Sequence, residues 1–275
     1  MTAKISCLPV SLFNQIVQGE MSLGEWIDFA ESCNLDGVDI SNMFIANHTP
    51  VYLRQLKEML AAKNIPIVMC TAYPDFTHYD AVQRRRELDY FRRDIALCSQ
   101  LGISYLRVLA GQAHPETKIE DGVAWAVENI RLAAETADAY GVKLVYEDHA
   151  KPGAWDYIDM TYPPHLFLQV VEGIWDSSVG INFDIGNITA YGEDPLEILH
   201  RVYPKVETIH VSDMAEKGVF SPVAIGTGVT PLKETFRYLK DRGFQGWLCI
   251  EEASNQGLEG IKRVAATVRN LWEEA

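Results

Sequence analysis

Hydrophobic residues along this 275-residue chain follow two rhythms. Short β-rich runs recur at 4–10 (KISCLPV), 37–41 (GVDIS), 65–72 (IPIVMCTA), 105–111 (YLRVLAG), 142–148 (VKLVYED), 179–186 (VGINFDIG), 206–213 (VETIHVSD) and 247–253 (WLCIEEA). Between them apolar positions fall at steps of three and four, the period of a helix with one buried face. Leu258, Ile261, Ala265, Val268 and Trp272 keep that period near the C-terminus, and Leu88, Phe91, Ile95 and Cys98 keep it within 80–101. A capping residue followed by proline marks three helix starts, at Thr49-Pro50, Asp194-Pro195 and Thr230-Pro231. Such a cap accepts an otherwise unpaired N–H, and proline at the next position gives up no needed donor. Gly102, Gly141 and Gly243 mark helix ends, where a left-handed residue is wanted.

Eight strands alternating with helices predict a parallel sheet joined by right-handed crossovers. The length suits a closed (β/α)8 barrel of roughly 250 residues. The first strand is followed by PVSLFNQ (9–15), not by the glycine-rich phosphate turn of a doubly wound sheet. The chain 1–275 therefore reads as one α/β domain, a single (β/α)8 TIM barrel.

Composition narrows the class of partner. The chain is 48% hydrophobic with a net charge of -14, and its pI is near 4.9 with a mean hydropathy of -0.06. So acidic a chain repels nucleic acid and anionic membrane surfaces. The five cysteines, Cys7, Cys33, Cys70, Cys98 and Cys249, form no CxxC pair. That argues for a reduced, cytoplasmic protein without a zinc ribbon or disulfide framework. MTAKISCLPV has one lysine and no long apolar run, so no signal peptide is expected. No stretch approaches the roughly 18 apolar residues of a membrane span.

Active sites of such barrels lie at the C-terminal strand ends. Those ends offer Asp39 on the second strand, Arg107 on the fourth, and Glu147, Asp148 and His149 on the fifth. The sixth offers Asp184 and Asn187, the seventh His210 and Asp213, the eighth Glu251 and Glu252. A buried, unpaired carboxylate is very costly. Glu147, Asp184, His210 and Glu251 converging on one rim call for a counter-charge, and one divalent cation supplies it. Oxygen ligands with one imidazole suit Mn²⁺, Mg²⁺, Co²⁺ or Zn²⁺. Asp184 is then a metal ligand, and Gly186 beside it lets the following loop turn away. Alternation turns Glu252 away from the barrel interior, into a structural ion pair. His114 reads as a loop residue. The arginines of QRRRELDYFRR (83–93) read as a solvated or subunit-contact helix face, compatible with a homo-oligomer.

In their order and spacing, Glu147 in VKLVYEDH, Asp184 in INFDIGN, His210 in ETIHVSD and Glu251 in GWLCIEE resemble the Glu-Asp-His-Glu metal set of the xylose isomerase-like TIM barrels, the sugar-phosphate isomerase/epimerase family. VAIGTGVTP (223–231) resembles that family's Gly-x-Gly segment. The resemblance implies an isomerase or epimerase that binds a sugar or keto-polyol through adjacent carbonyl and hydroxyl oxygens, with the metal stabilising an enediolate. Glu147 and Glu251 would then be acid/base catalysts with His149 beside them, and Arg107, Asn187 and Asp213 would contact substrate. With few positive groups at the tips, a non-phosphorylated substrate is expected.

The departures matter. Position 187 is Asn187 where many epimerases of the family have histidine, and Glu216 stands where ketohexose 3-epimerases have arginine. Asn187 and Ala215 occupy positions that a three-metal apurinic endonuclease of the superfamily fills with histidine. Arg107 and His149 also resemble the 3-dehydroshikimate dehydratase branch, and related barrels acting on 3-keto-glycosides carry a Glu-x-His. A metal-dependent lyase is therefore the alternative, and a non-catalytic sugar-binding barrel the third reading.

Overall fold

The computed structural model describes residues 3–275. Its strands are β1 Lys4–Leu8, β2 Val38–Ser41, β3 Ile67–Thr71, β4 Tyr105–Val108, β5 Lys143–Glu147, β6 Gly180–Asp184, β7 Val206–Val211 and β8 Trp247–Glu251. All pairings are parallel, in the order β1-β8-β7-β6-β5-β4-β3-β2. The barrel is nearly closed, and loop and side-chain groups draw its two edge strands together. Ile5 O accepts from Asp36 N at 2.8 Å, Ile5 N donates to Asp36 Oδ2 at 2.9 Å, and Ser6 Oγ donates to Asp39 Oδ2 at 2.6 Å.

Each of the eight expected strands is present, and each is shorter than or equal to its hydrophobic run. β1 stops before Pro9, which has no N–H for a ladder. β6 stops at Asp184 because a helix starts at the next residue.

The helices are α1 Phe13–Val17, α2 Leu23–Ser32, α3 Pro50–Ala61, α4 Ala81–Leu101, α5 Ile119–Tyr140, α6 Pro164–Gly173, α7 Ile185–Tyr191, α8 Pro195–Val202, α9 Leu232–Asp241 and α10 Gly257–Glu274. α4 and α5 end on Gly102 and Gly141 at φ 77° and 68°, the left-handed conformation that glycine adopts without strain. Of the three proline-marked starts, Asp194 caps α8 by accepting from Leu196 N. Thr49 precedes α3 without a side-chain cap. Thr230 does not cap α9: its hydroxyl accepts from Met214 N at 3.2 Å, and the helix begins at Leu232. The arginine tract lies on α4, where the Arg84 guanidinium stacks 3.6 Å from the Trp125 ring of α5.

The main core lies between the sheet and its helices. A second small cluster, Met69, Val145 and Cys249 with Tyr105 and Trp247 against it, comes from alternate positions of β3, β4, β5 and β8. Alternation puts these residues inside the barrel, where they form an apolar plug beneath the polar strand tips.

A half-buried acid lies on the helix layer, away from that plug. Asp94 of α4 accepts from Asn42 Nδ2 at 3.0 Å. Burial first, opposed by Asn42 and reinforced by Glu87, raises its carboxyl to about 6. A raised folded-state value means the group favours folding while protonated and loses that contribution as pH climbs past about 6. Asp94→Asn is therefore expected to stabilise the protein at pH 8 relative to wild type, by on the order of 1–3 kcal/mol, with little gain at pH 4. Urea denaturation at both pH values measures this.

Candidate metal and substrate site at the strand tips

Glu147 ends β5, Asp184 ends β6 and His210 lies one residue before the end of β7. Ladder register sets Asp184 opposite His210 and Glu147 opposite Asn182. All three site residues are fully buried, and one ligand atom from each lies within 4.8 Å of the others. Glu251, the expected fourth member, stands outside this trio. It is within hydrogen-bonding reach of Asp184 and faces the adjoining cavity.

Neighbouring side chains hold the trio in place. Glu147 Oε2 accepts from Arg107 Nη1 at 2.8 Å, and Oε1 accepts from Asn182 Nδ2 at 2.9 Å. Asn182 Oδ1 in turn accepts from Thr208 Oγ1 at 2.7 Å. Asp184 Oδ1 accepts from Gly186 N, Asn187 N and Ser212 Oγ at 2.8, 3.0 and 2.7 Å. The chain thus does not turn away into a loop after Asp184, as the sequence led us to expect: Asp184 is the N-cap of α7. Gly186 serves close packing instead, since a Cβ there would meet Ser212 Oγ at 2.1 Å.

The charges are unevenly matched. Burial opposes ionisation of Glu147, but His210 and Arg107 outweigh it and hold the carboxyl at about 2. Burial likewise opposes the His210 imidazolium, while Glu147, Glu251 and Asp184 hold its pKa up at about 9. Asp184 is pushed well above the carboxylate range by burial, then by Glu251 and Glu147. Asp148, whose Oδ1 accepts from Asp184 N at 2.9 Å, is also driven up, by burial and then Asp184.

These residues fit a divalent cation. Asp184 Oδ2 and both His210 ring nitrogens are buried without a hydrogen bond. His210 Nδ1 lies against Glu147 Oε1 and 3.9 Å from Asp184 Oδ2, close in distance but outside hydrogen-bond geometry. Two carboxylates and an imidazole with unused lone pairs at such spacing are a cation's donor set.

A cavity of about 440 Å³ opens beside the trio. Arg107, His149, Asn187 and Glu251 line it, with Tyr73 and Lys151. Arg107 lies with its guanidinium 4.8 Å from the Tyr73 ring, and its Nε is buried and unpaired. His149 Nδ1 has no partner, and burial, opposed by Glu147, drives this imidazole down to about 3. Asn187 Nδ2 donates to Asp148 O at 3.0 Å.

Asp213, expected to contact substrate, instead organises the Gly-x-Gly loop. Its Oδ2 accepts from Gly226 N and Gly228 N at 2.9 and 2.8 Å, and its Oδ1 from Thr230 N at 3.1 Å. Glu252 is buried and turned into the β8–α10 loop, where it accepts from Ser254 N at 2.9 Å in place of the expected ion pair. His114 pairs with Asp75 at 2.7 Å and stays outside the cavity lining. Asn182, Thr208 and Ser212 were not singled out from the sequence. Asn182 and Thr208 stand two residues before Asp184 and His210, so strand alternation puts them on the same face.

The sequence profile described as xylose isomerase-like TIM barrel matches residues 27–271. The chain belongs to that family. Among curated relatives of this xylose isomerase-like barrel, inosose dehydratase 1 of Bacillus cereus is 21% identical over 310 residues, covering 99% of this chain and 97% of the relative. Inosose dehydratase of Bacillus thuringiensis is 24% identical, the match spanning about half of each chain (54% and 52%). Among solved structures, the IolI protein with a bound zinc atom superposes with a TM-score of 0.80 at 18% identity, covering 100% of this chain and 99% of its own. Among the described residues no helix of the barrel is long and apolar enough to cross a membrane.

Two outcomes follow for this site. Asp184→Asn keeps the helix-capping oxygen and removes a ligand, so Mn²⁺ and Zn²⁺ affinity by titration calorimetry should fall more than about 100-fold, beyond the usual loss for an outer partner, with the far-UV spectrum unchanged. Asp213→Ala should speed amide exchange at Gly226, Gly228 and Thr230 by more than about 10-fold, as loss of net hydrogen bonds of roughly 1 kcal/mol each requires, while metal affinity stays within a factor of about two.

Proposed function

We propose that this chain is a metal-dependent lyase of the dehydratase kind, acting on a non-phosphorylated keto-polyol or keto-sugar. One observation carries the reading: His149 lines the cavity and its buried Nδ1 has no hydrogen-bond partner, while both Glu147 oxygens are engaged by Arg107 and Asn182. Glu147 is thereby a holding group rather than a free base.

Glu147, Asp184 and His210 would hold the divalent ion, with Glu251 beside them. When bound, the ion supplies Lewis acidity for a substrate carbonyl and for the negative charge that develops on it. His149, as the neutral imidazole, takes a proton from the carbon next to the carbonyl. The electron pair of that C–H bond forms a carbon–carbon double bond as the β carbon–oxygen bond breaks. Glu251, which burial holds toward its protonated form, gives its proton to the departing oxygen, so water leaves. Arg107 orients the carbonyl end from β4.

Isomerisation or epimerisation is the second reading. It is favoured by Glu147 and Glu251 standing on strands separated by β6 and β7, where two glutamates can serve two faces of a substrate. Keto-polyols and keto-sugars incubated in D₂O with Mn²⁺ or Zn²⁺, followed by NMR and mass, separate the two. The lyase reading expects metal-dependent deuterium exchange, a product lighter by one water, and a loss of about 10²-fold or more in turnover for His149→Ala. A product of unchanged mass, abolished by Glu147→Gln and Glu251→Gln but only modestly slowed by His149→Ala, means an isomerase. No exchange with any metal and substrate contradicts catalysis and leaves a binding barrel.

A further inference from the structure

The cavity beside the metal residues has two unlike halves. Most of its polar groups come from one arc of the rim: Arg107 from β4, His149 and Lys151 after β5, Asn187 after β6. The opposite arc, the tips of β7, β8, β1 and β2, contributes Phe220, Pro222, Ala253, Val10, Phe13 and Met43. The polar members of that second arc are Glu251 at the tip of β8 and Asn14 after β1; the six apolar side chains between them offer no hydrogen-bond donor or acceptor stronger than a thioether.

A polyol filling the whole cavity would press hydroxyls against those apolar walls, and each unpaired hydroxyl costs a hydrogen bond made in water. The polar arc alone can satisfy a sugar ring. The remaining volume asks for a different kind of group.

The apolar arc is built and held. Phe13 is backed by the buried ring of Phe44, with centroids 4.9 Å apart and planes at 59°. Phe220 sits on a turn closed by Ala215 N donating to Ser221 O at 2.8 Å and Val223 N donating to Asp213 O at 2.9 Å, with a bridge between Met214 and Pro222. Yet Phe220 and Met43 leave 54% and 43% of their surface open. Two preorganised phenyl rings and a thioether around one slot favour a flat, polarisable guest, because ring faces and edges pair with aromatic groups and sulfur does likewise.

We infer that the substrate is an aryl glycoside or a comparable sugar conjugate, its sugar ring over the Arg107–His149–Asn187 arc and its aromatic group between Phe13, Met43 and Phe220. This deepens the proposed function and rests on it for where the sugar lies, but it adds a second recognition element of different chemistry.

Calorimetric binding of 4-nitrophenyl β-D-glucopyranoside and methyl β-D-glucopyranoside to the Mn²⁺-loaded protein tests it. The aryl glucoside should bind about 10- to 100-fold more tightly, the range expected when one aromatic ring leaves water for a partly apolar wall. Phe220→Ala and Met43→Ala, at exposed positions where folding is not at risk, should each shrink the aryl-to-methyl ratio by at least about 3-fold, as lost contact of part of a side chain implies. Equal affinities, no measurable aryl binding, or a ratio untouched by both variants overturns the inference. Deuterium exchange of unconjugated keto-sugars reports separately on the proposed function. Exchange without an aryl preference refutes only the aryl subsite, and an aryl preference without exchange refutes only the lyase.

Discussion

Glu147 and Asp184 place two buried carboxyl groups on the ends of two neighbouring strands, with Arg107 and His210 as their positive partners and the buried Asp148 beside them. An ionised carboxylate taken out of water costs several kcal/mol unless its charge is met. Most of the tip architecture answers that cost. Arg107 and Asn182 hold Glu147, Ser212 and the first turn of α7 hold Asp184, and Asp184's own N–H engages Asp148. Among the atoms left without partners are Asp184 Oδ2 and both ring nitrogens of His210. They lie where a doubly charged ion would complete the balance.

The loops extend the same logic outward. Asp213 commits its two oxygens to three loop N–H groups. That fixes the β7–α9 loop and with it the wall carrying Phe220 and Pro222. A site that must orient a flexible polyol benefits from rigid walls, because ordering is then done once in folding and not again at each turnover. The walls of the cavity are thus set by different means: Arg107 and Glu251 by their strands, Phe220 and Pro222 by a fixed loop.

Much of the barrel was legible in the sequence because period-two and period-three-to-four patterns report burial directly. All eight strands of the parallel sheet were identifiable, and Asp184, Glu147 and His210 stood out as acids and a histidine at the ends of apolar runs. Their mutual distances were not legible, since they depend on register between strands far apart in sequence. Glu251 illustrates this, being beside the trio rather than within it. Gly186 reads as a turn because a glycine after a strand usually is one; the close approach of Ser212 from beyond β7 is a long-range fact. Thr230 has the local pattern of a cap, but tertiary contact with Met214 claims its hydroxyl. Asn182 and Thr208 carry no charge to draw notice, though alternation aligns them with the acids above.

Anomalous diffraction from crystals grown with Mn²⁺ or Zn²⁺ tests the central claim most directly. The account predicts one strong peak bounded by Glu147, Asp184 and His210 at roughly 2.0–2.4 Å from a ligand atom of each, with Glu251 adjacent. No peak there at saturating metal, or the ion bound instead at Asp39 or Asp94, would contradict it.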